Sequence, residues 1–161
     1  METNSDKDLT ELTRLSKLWD TQSGPSLLVH IIESSDDFEV LDQAAILASD
    51  KKVELAKEAL FKRLVDPKTK EHRSTLLFGC SAFDCSNQLE VLVHIVINDT
   101  YGAAIEALHL IQNNCPLAPV ESINRSLDLI EDVINMPDIS EERVELLEVT
   151  GNFLASILPH D

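Results

Sequence analysis

Residues 119–158 read PVESINRSLDLIEDVINMPDISEERVELLEVTGNFLASIL. Val120, Ile123, Leu127, Ile130 and Ile134 recur in alternating steps of three and four, which places them on one buried stripe of a helix from about Pro119 to Ile134. After Pro137 a second helix is predicted from Ser140 to Leu158. Ser140 is suited to the N-cap, and Glu141 and Glu142 fall in the first turn, where unpaired amides favour negative charge. Ile139 and Val144 have the spacing of a hydrophobic staple. Leu147, Thr150, Leu154 and Ile157 continue the inner face. Gly151 lowers helix stability relative to alanine, and is read as admitting a neighbouring helix at close range.

The same rhythm extends through the chain. Hydrophobic residues make up 43%, enough for a core, while four glycines and sparse Thr, Tyr and Trp argue against a β-rich fold. Nine helices are predicted. The first covers Lys7 to Trp19, and Pro25 opens a second that ends near Glu33. Ser34 to Asp37 offer caps for a third, with Phe38, Leu41, Ala45 and Leu47 inward. Asp50 is read as the cap of a fourth, aligned on Val53, Ala56, Leu60 and Leu64. A fifth runs from Lys70 to Cys80, a sixth from a Ser86 cap to Ile97, and a seventh from an Asp99 cap to Asn113. The two helices quoted above complete the set. Pro25, Pro67, Pro116, Pro119, Pro137 and Pro159 fall between or at the edges of these segments, as helix breakers should. The sixth helix is apolar in nearly every direction, interrupted only by Glu90 and His94, and is expected to be central.

An inexact internal repeat bears on the architecture. Phe38-Glu-Val-Leu41 resembles Leu89-Glu-Val-Leu92, and each precedes an acidic turn and then Glu-Ala-Leu, at 58–60 and 106–108. Short paired helices of this kind fit a HEAT-like or armadillo-like array of stacked hairpins. The alternative is an irregular helical bundle. The expectation is an all-α fold in one domain, 1–161, with 1–6 a disordered tail.

Charge is distributed unevenly. Residues 74–161 contain no lysine, and two arginines against fourteen carboxylates give net −12. Residues 1–50 carry three cations and eleven acids, net −8, and residues 51–73 carry eight and four, net +4. Such acid repels nucleic acid and anionic membrane and attracts basic proteins. The basic band at 51–73 is interleaved with Glu54, Glu58, Asp66 and Glu71 and lacks aromatic neighbours, so it reads as a salt-bridged helix surface. The first residues have neither a basic nor an apolar signal region, and no apolar run reaches the length of a bilayer span. A soluble, cytoplasmic protein is expected. Cys80, Cys85 and Cys115 are odd in number and have no C-x-x-C spacing, so they are read as small buried side chains.

Catalytic patterns do not emerge. Gly24, Gly79, Gly102 and Gly151 are isolated, which leaves no phosphate loop or dinucleotide fingerprint, and there is no G-x-S-x-G. His30, His72, His94, His109 and His160 form no H-x-x-x-H pair. A metal site at Glu90, His94 and His109 uses allowed ligand types, but no spacing requires it. No catalytic residue, metal or cofactor is expected. Glu121, Asp128 and Asp132 share one side of the helix at 119–134, and Glu141, Glu145 and Glu148 one side of the helix at 140–158. Solvated helix faces usually mix Lys with Glu, and these do not.

Residues 66–113 carry Asp-Pro, Arg73-Ser-Thr-Leu-Leu77, Phe83-Asp-Cys-Ser86, Leu89-Glu-Val-Leu-Val93, Asn98-Asp-Thr-Tyr101 and Glu106-Ala-Leu108. This stretch, under a third of the chain, resembles small bacterial HEAT-like proteins, some of them immunity proteins of contact-dependent growth inhibition systems. It departs at Gly102 and Ala103, where an acidic residue is expected after the tyrosine. The resemblance implies a protein that binds and neutralises a cognate toxin, many such toxins being nucleases with basic clefts. A HEAT-like adaptor without a toxin is the alternative. The residues expected to meet a basic partner are Asp99, Tyr101, Glu106, Glu121, Asp128, Asp132, Glu141 and Glu145.

Overall fold

The computed structural model describes Thr13, Leu15 and residues 23–159, and every regular element among them is helical. Eight α-helices are complete within this range: α1 (Ser23–Ser34), α2 (Phe38–Asp50), α3 (Ala56–Val65), α4 (Arg73–Gly79), α5 (Leu89–Asn98), α6 (Tyr101–Asn114), α7 (Val120–Ile134) and α8 (Glu141–Ser156). Short 3-10 segments occupy Pro67–His72, Cys80–Ala82 and Ser86–Gln88. The helix expected at Lys7–Trp19 lies outside the described residues except for Thr13 and Leu15, both helical, and the expected tail at 1–6 also lies outside them. No helix among the described residues is long and apolar enough to cross a membrane.

The chain divides into two compact units, Met1–Phe83 and Asp84–Asp161, where the sequence reading treats 1–161 as one domain. In the first, α1 packs on α2 and α3, and α4 packs on α2 and α3. In the second, α5 packs on α6 and α7, and α8 packs on α6 and α7, with a further contact between α5 and α8. Among the described residues the complete helices of each unit therefore form two successive pairs, with first helix against first and second against second. The repeat seen in sequence does not follow this division. Phe38 opens α2, the second helix of its pair, whereas Leu89 opens α5, the first of its pair. Glu58 and Glu106 lie on α3 and α6. The matched segments thus hold different places in the two units.

The nearly all-apolar α5 is explained by its neighbours. It packs against α6, α7 and α8, and buries Leu89, Leu92, Val93, Ile95 and Val96. The amphipathic α7 and α8 have single inner stripes, Ile123, Ile130 and Val133 on one and Leu147, Thr150 and Leu154 on the other. Fully burying an aliphatic side chain stabilises by about 1.5–3 kcal/mol, so these stripes fix which face of each helix turns outward.

Several helix ends differ from expectation. Asp37 caps α2, accepting from the amides of Glu39 at 3.0 Å and Val40 at 3.3 Å. Ser140 caps α8, accepting from Arg143 N at 3.3 Å. Asp50 does not cap a following helix. It is the last residue of α2, and α3 starts after Leu55 with no side-chain cap. The chain leaves α2 through a Schellman motif, with Val53 N donating to Ala48 O at 2.9 Å and Lys52 N to Ser49 O at 3.0 Å. Lys52 takes the left-handed position, φ 52°, that glycine usually fills. Ser86 opens a 3-10 turn rather than capping α5, and its hydroxyl accepts from Leu117 N at 3.0 Å. Thr100, one residue beyond Asp99, caps α6. The helix expected at Lys70–Cys80 is divided between 3-10 and α geometry.

The close approach expected at Gly151 occurs at Gly79. A Cβ on Gly79 would lie 2.9 Å from Ala45 O and 3.0 Å from Ala45 Cβ, so α4 crosses α2 at backbone range there. On Gly151 the nearest atoms would be Ile130 Cγ2 at 3.6 Å and Leu127 Cδ2 at 4.0 Å, ordinary contacts.

Candidate functional site

The outward faces of α7 and α8 follow from their buried stripes. Glu121, Asp128 and Asp132 are exposed on α7, at steps of seven and four, opposite Ile123 and Ile130. Glu141 and Glu145 are exposed on α8, and Glu148 continues their line.

The cations of this unit are already engaged. Arg125 on α7 donates from Nη2 and Nε to Glu90 Oε1 on α5, at 2.6 and 3.1 Å, and stands 3.8 Å from Glu121. Its hydrogen bond, helped by Ser122, holds the Glu90 carboxyl below the usual carboxylate range, and Glu90 in turn raises the guanidinium. Arg143 on α8 donates to the backbone oxygens of Val96 and Asp99, the latter at 2.5 Å, where α5 ends. A guanidinium at a helix C-terminus satisfies carbonyls that lack a helical partner and opposes the negative end of the dipole. With no lysine in Asp84–Asp161, one arginine is tied to a carboxylate and the other to carbonyls.

Not every expected residue belongs to the outer surface. Asp99 is 5% exposed: its carbonyl accepts from Arg143 and its carboxylate from Thr100 N at 3.3 Å. That corrects its assignment to a partner-facing surface, since burial of its carboxylate leaves almost nothing for a partner to touch. Tyr101 is 56% exposed at the start of α6 and is not part of the core. Glu106 is half-buried on α6 and lies 3.9 Å from His109 Nδ1. Glu121, Asp128, Asp132, Glu141 and Glu145 form the outer stripes of the α7–α8 pair.

Between α7 and α8 runs a groove of about 530 Å³. Leu127, Ile130, Ile134, Leu147 and Gly151 make its floor, and Glu131 with Asn135 and Glu148 with Asn152 line it from the two helices. Glu131 is a residue the sequence reading did not select. It sits roughly a quarter turn from the Glu121–Asp132 stripe, on the side toward α8. No local signal in the sequence marks it, because the side of α7 that faces α8 is set by tertiary packing. A second cleft, of 390 Å³, lies where Ile97 meets Val133, Met136, Pro137 and Ile139.

Cys115 and His72 are held by their surroundings. Burial, then Cys85 and Asp84, pushes the Cys115 thiol up to about 12, so it is protonated at neutral pH and a poor nucleophile. In the first unit His72 Nδ1 lies 3.0 Å from Asp42 Oδ2 while its ring stacks on Phe38, centroids 4.5 Å apart. This ties α2 to the 3-10 segment before α4. Among the described residues no group of three or more His, Cys, Asp or Glu is placed to hold a metal ion.

No family model matches the chain, and no curated protein or solved structure matches it.

Proposed function

We propose that this chain is a non-enzymatic, protein-binding inhibitor whose acidic second unit engages a basic protein. The observation that carries the reading is the state of the two arginines. Arg125 is held by Glu90 and Arg143 by the end of α5, so Asp128, Asp132, Glu141 and Glu145 face outward with no lysine in their unit to offset them. Like charges along one helix face repel, and a basic partner removes that repulsion on binding. Complementary fields also speed encounter. The sequence resemblance supplies the partner class: a cognate toxin domain, a nuclease whose basic cleft accepts an acidic helical face in place of phosphates. The paired helices, first on first and second on second in each unit, support a HEAT-like reading of the fold. Nucleic acid and anionic membrane are disfavoured as partners by the same charge, and the proposed setting is the cytoplasm.

Capture from the native host with mass spectrometry identifies the partner, and Asp128→Lys with Asp132→Lys tests the surface. The expected result is loss of capture and of affinity with an unchanged helical circular dichroism spectrum. Equal binding by the double variant would remove the reading. The second reading, an adaptor without a toxin, is favoured by the same helix-pair stacking. A toxin gene immediately upstream separates the inhibitor from the adaptor.

A further inference from the structure

We propose that the groove between α7 and α8 seats one amphipathic basic segment of the partner, an apolar ridge flanked on both sides by lysine or arginine. This rests on the reading of the second unit as a binder of basic protein, and it names the element that unit recognises. The floor is aliphatic: Leu127 and Ile134 are partly exposed in it, Ile130 and Leu147 are buried, and it is left open at Gly151, which adds no side chain. The carboxylates come one from each helix, Glu131 and Glu148, both exposed. Among the described residues neither has a salt-bridge partner. From Leu127 to Ile134 the floor follows eight residues of α7, a rise of about 10 Å. That length takes about two turns of a helix, with apolar side chains at i, i+4 and i+7 in the groove and cations to either side. A purely electrostatic surface needs no such floor, and a purely apolar groove needs no acid along it.

Other occupants fit less well. A second copy laid on through the same unit would bring net −12 against net −12. The basic band of a second copy is a weak candidate because Lys57 is bound to Glu54, Lys62 to Glu33, and Arg63 to the carbonyls of Glu33 and Ser35. Anionic lipid and nucleic acid meet the acid with the wrong sign.

The test uses the full chain and two synthetic peptides of identical composition. One places leucine at i, i+4 and i+7 among lysines, and the other scrambles that order. Fluorescence anisotropy at low and at physiological salt reads the affinities. The patterned peptide is expected to bind about tenfold more tightly than the scrambled one. Glu131→Gln with Glu148→Gln is expected to erase that preference. Glu121→Gln with Glu141→Gln, the same change of charge, should weaken both peptides equally and leave the preference intact. Gly151→Leu fills the floor without changing charge and should also erase the preference. The two glutamates are exposed, so the paired glutamine variant keeps the test valid even where the leucine variant unfolds. Equal affinity for the two peptides, or a preference untouched by both the glutamine and leucine variants, overturns the groove. Where both peptides still bind in a salt-dependent way, the acidic-surface reading survives that result. Where neither binds, both readings fall.

Discussion

In Met1–Phe83, eleven cations stand against fifteen acids, and Lys62 and Lys57 each sit 2.9 Å from a glutamate, Glu33 and Glu54. In Asp84–Asp161, two cations stand against fourteen acids. Both units nonetheless use an arginine in the same way. Arg63 donates to Glu33 O at 3.5 Å and Ser35 O at 3.0 Å where α1 ends, as Arg143 does to Val96 and Asp99 where α5 ends. In the first unit this leaves lysines to offset the surface. In the second it consumes half the cations. The contrast teaches that the outward acid of α7 and α8 is a consequence of where two arginines are placed as much as of how many acids there are.

The sharpest way to break that comparison is at the arginines. Arg143→Ala strips charge-assisted bonds from two carbonyls at a partly buried helix end and is expected to destabilise by about 3 kcal/mol. Arg63→Ala, with one of its bonds long, is expected to lose about 2 kcal/mol. Urea unfolding measures both, and a loss below about 0.5 kcal/mol at Arg143 would show that the bond to α5 does not hold the unit together.

The glycines give the next effect, with opposite signs in the two units. Gly79→Ala places a Cβ 2.9 Å from Ala45 O and is expected to destabilise by about 1–3 kcal/mol. Gly151→Ala meets only ordinary contacts and is expected to stabilise by up to about 1 kcal/mol through helix propensity. The same sign at both positions, read from thermal or urea unfolding, would contradict the packing described for one of them.

Titration distinguishes the units further. Burial raises Cys115 from an ordinary 9.0 to about 12 in the folded state, so its contribution is complete below the unfolded value and is lost as pH rises toward 12. Each pH unit in that window removes at most about 1.4 kcal/mol. Cys115→Ala is expected to flatten this alkaline limb, which pH-dependent unfolding would reveal.

The smallest effects are at the exposed ion pairs. Glu90 is lowered by Arg125 and then Ser122, so its contribution is present above its unfolded pKa and fades as pH falls through the folded one. Lys62 is raised by Glu33, so its contribution is present at neutral pH and fades as pH rises through its folded pKa. Glu90→Gln should therefore lower the melting temperature slightly near neutral pH and not in acid, and Glu33→Gln slightly near neutral pH and not in strong alkali. High salt should shrink both differences.

How much of this was readable in sequence varies with the range of the interaction involved. The three-and-four spacing from Val120 to Ile134 and the Ser140 cap are local features, and α7 and α8 start within a residue of where they place them. Asp50 and Asp99 misled because an acid beside a helix end has the same appearance whether it closes one helix or precedes the next. The stop after α2 is a left-handed Lys52, where no glycine marks the turn. Asp99 is buried and its carbonyl is bonded by an arginine 44 residues away, a pairing that no short window contains. The outer stripes were legible from periodicity alone. Glu131 was not, because its role depends on which side of α7 the next helix packs.

The central claim is that the acid of α7 and α8 acts outward on a basic partner. Its most direct test is the association rate of the captured partner with the wild-type chain and with the Asp128→Lys, Asp132→Lys variant across a salt series. The account predicts a wild-type rate that falls steeply with salt, and a variant at least about tenfold slower at low salt whose rate approaches the wild type at high salt. Identical rates with the same salt dependence would contradict it.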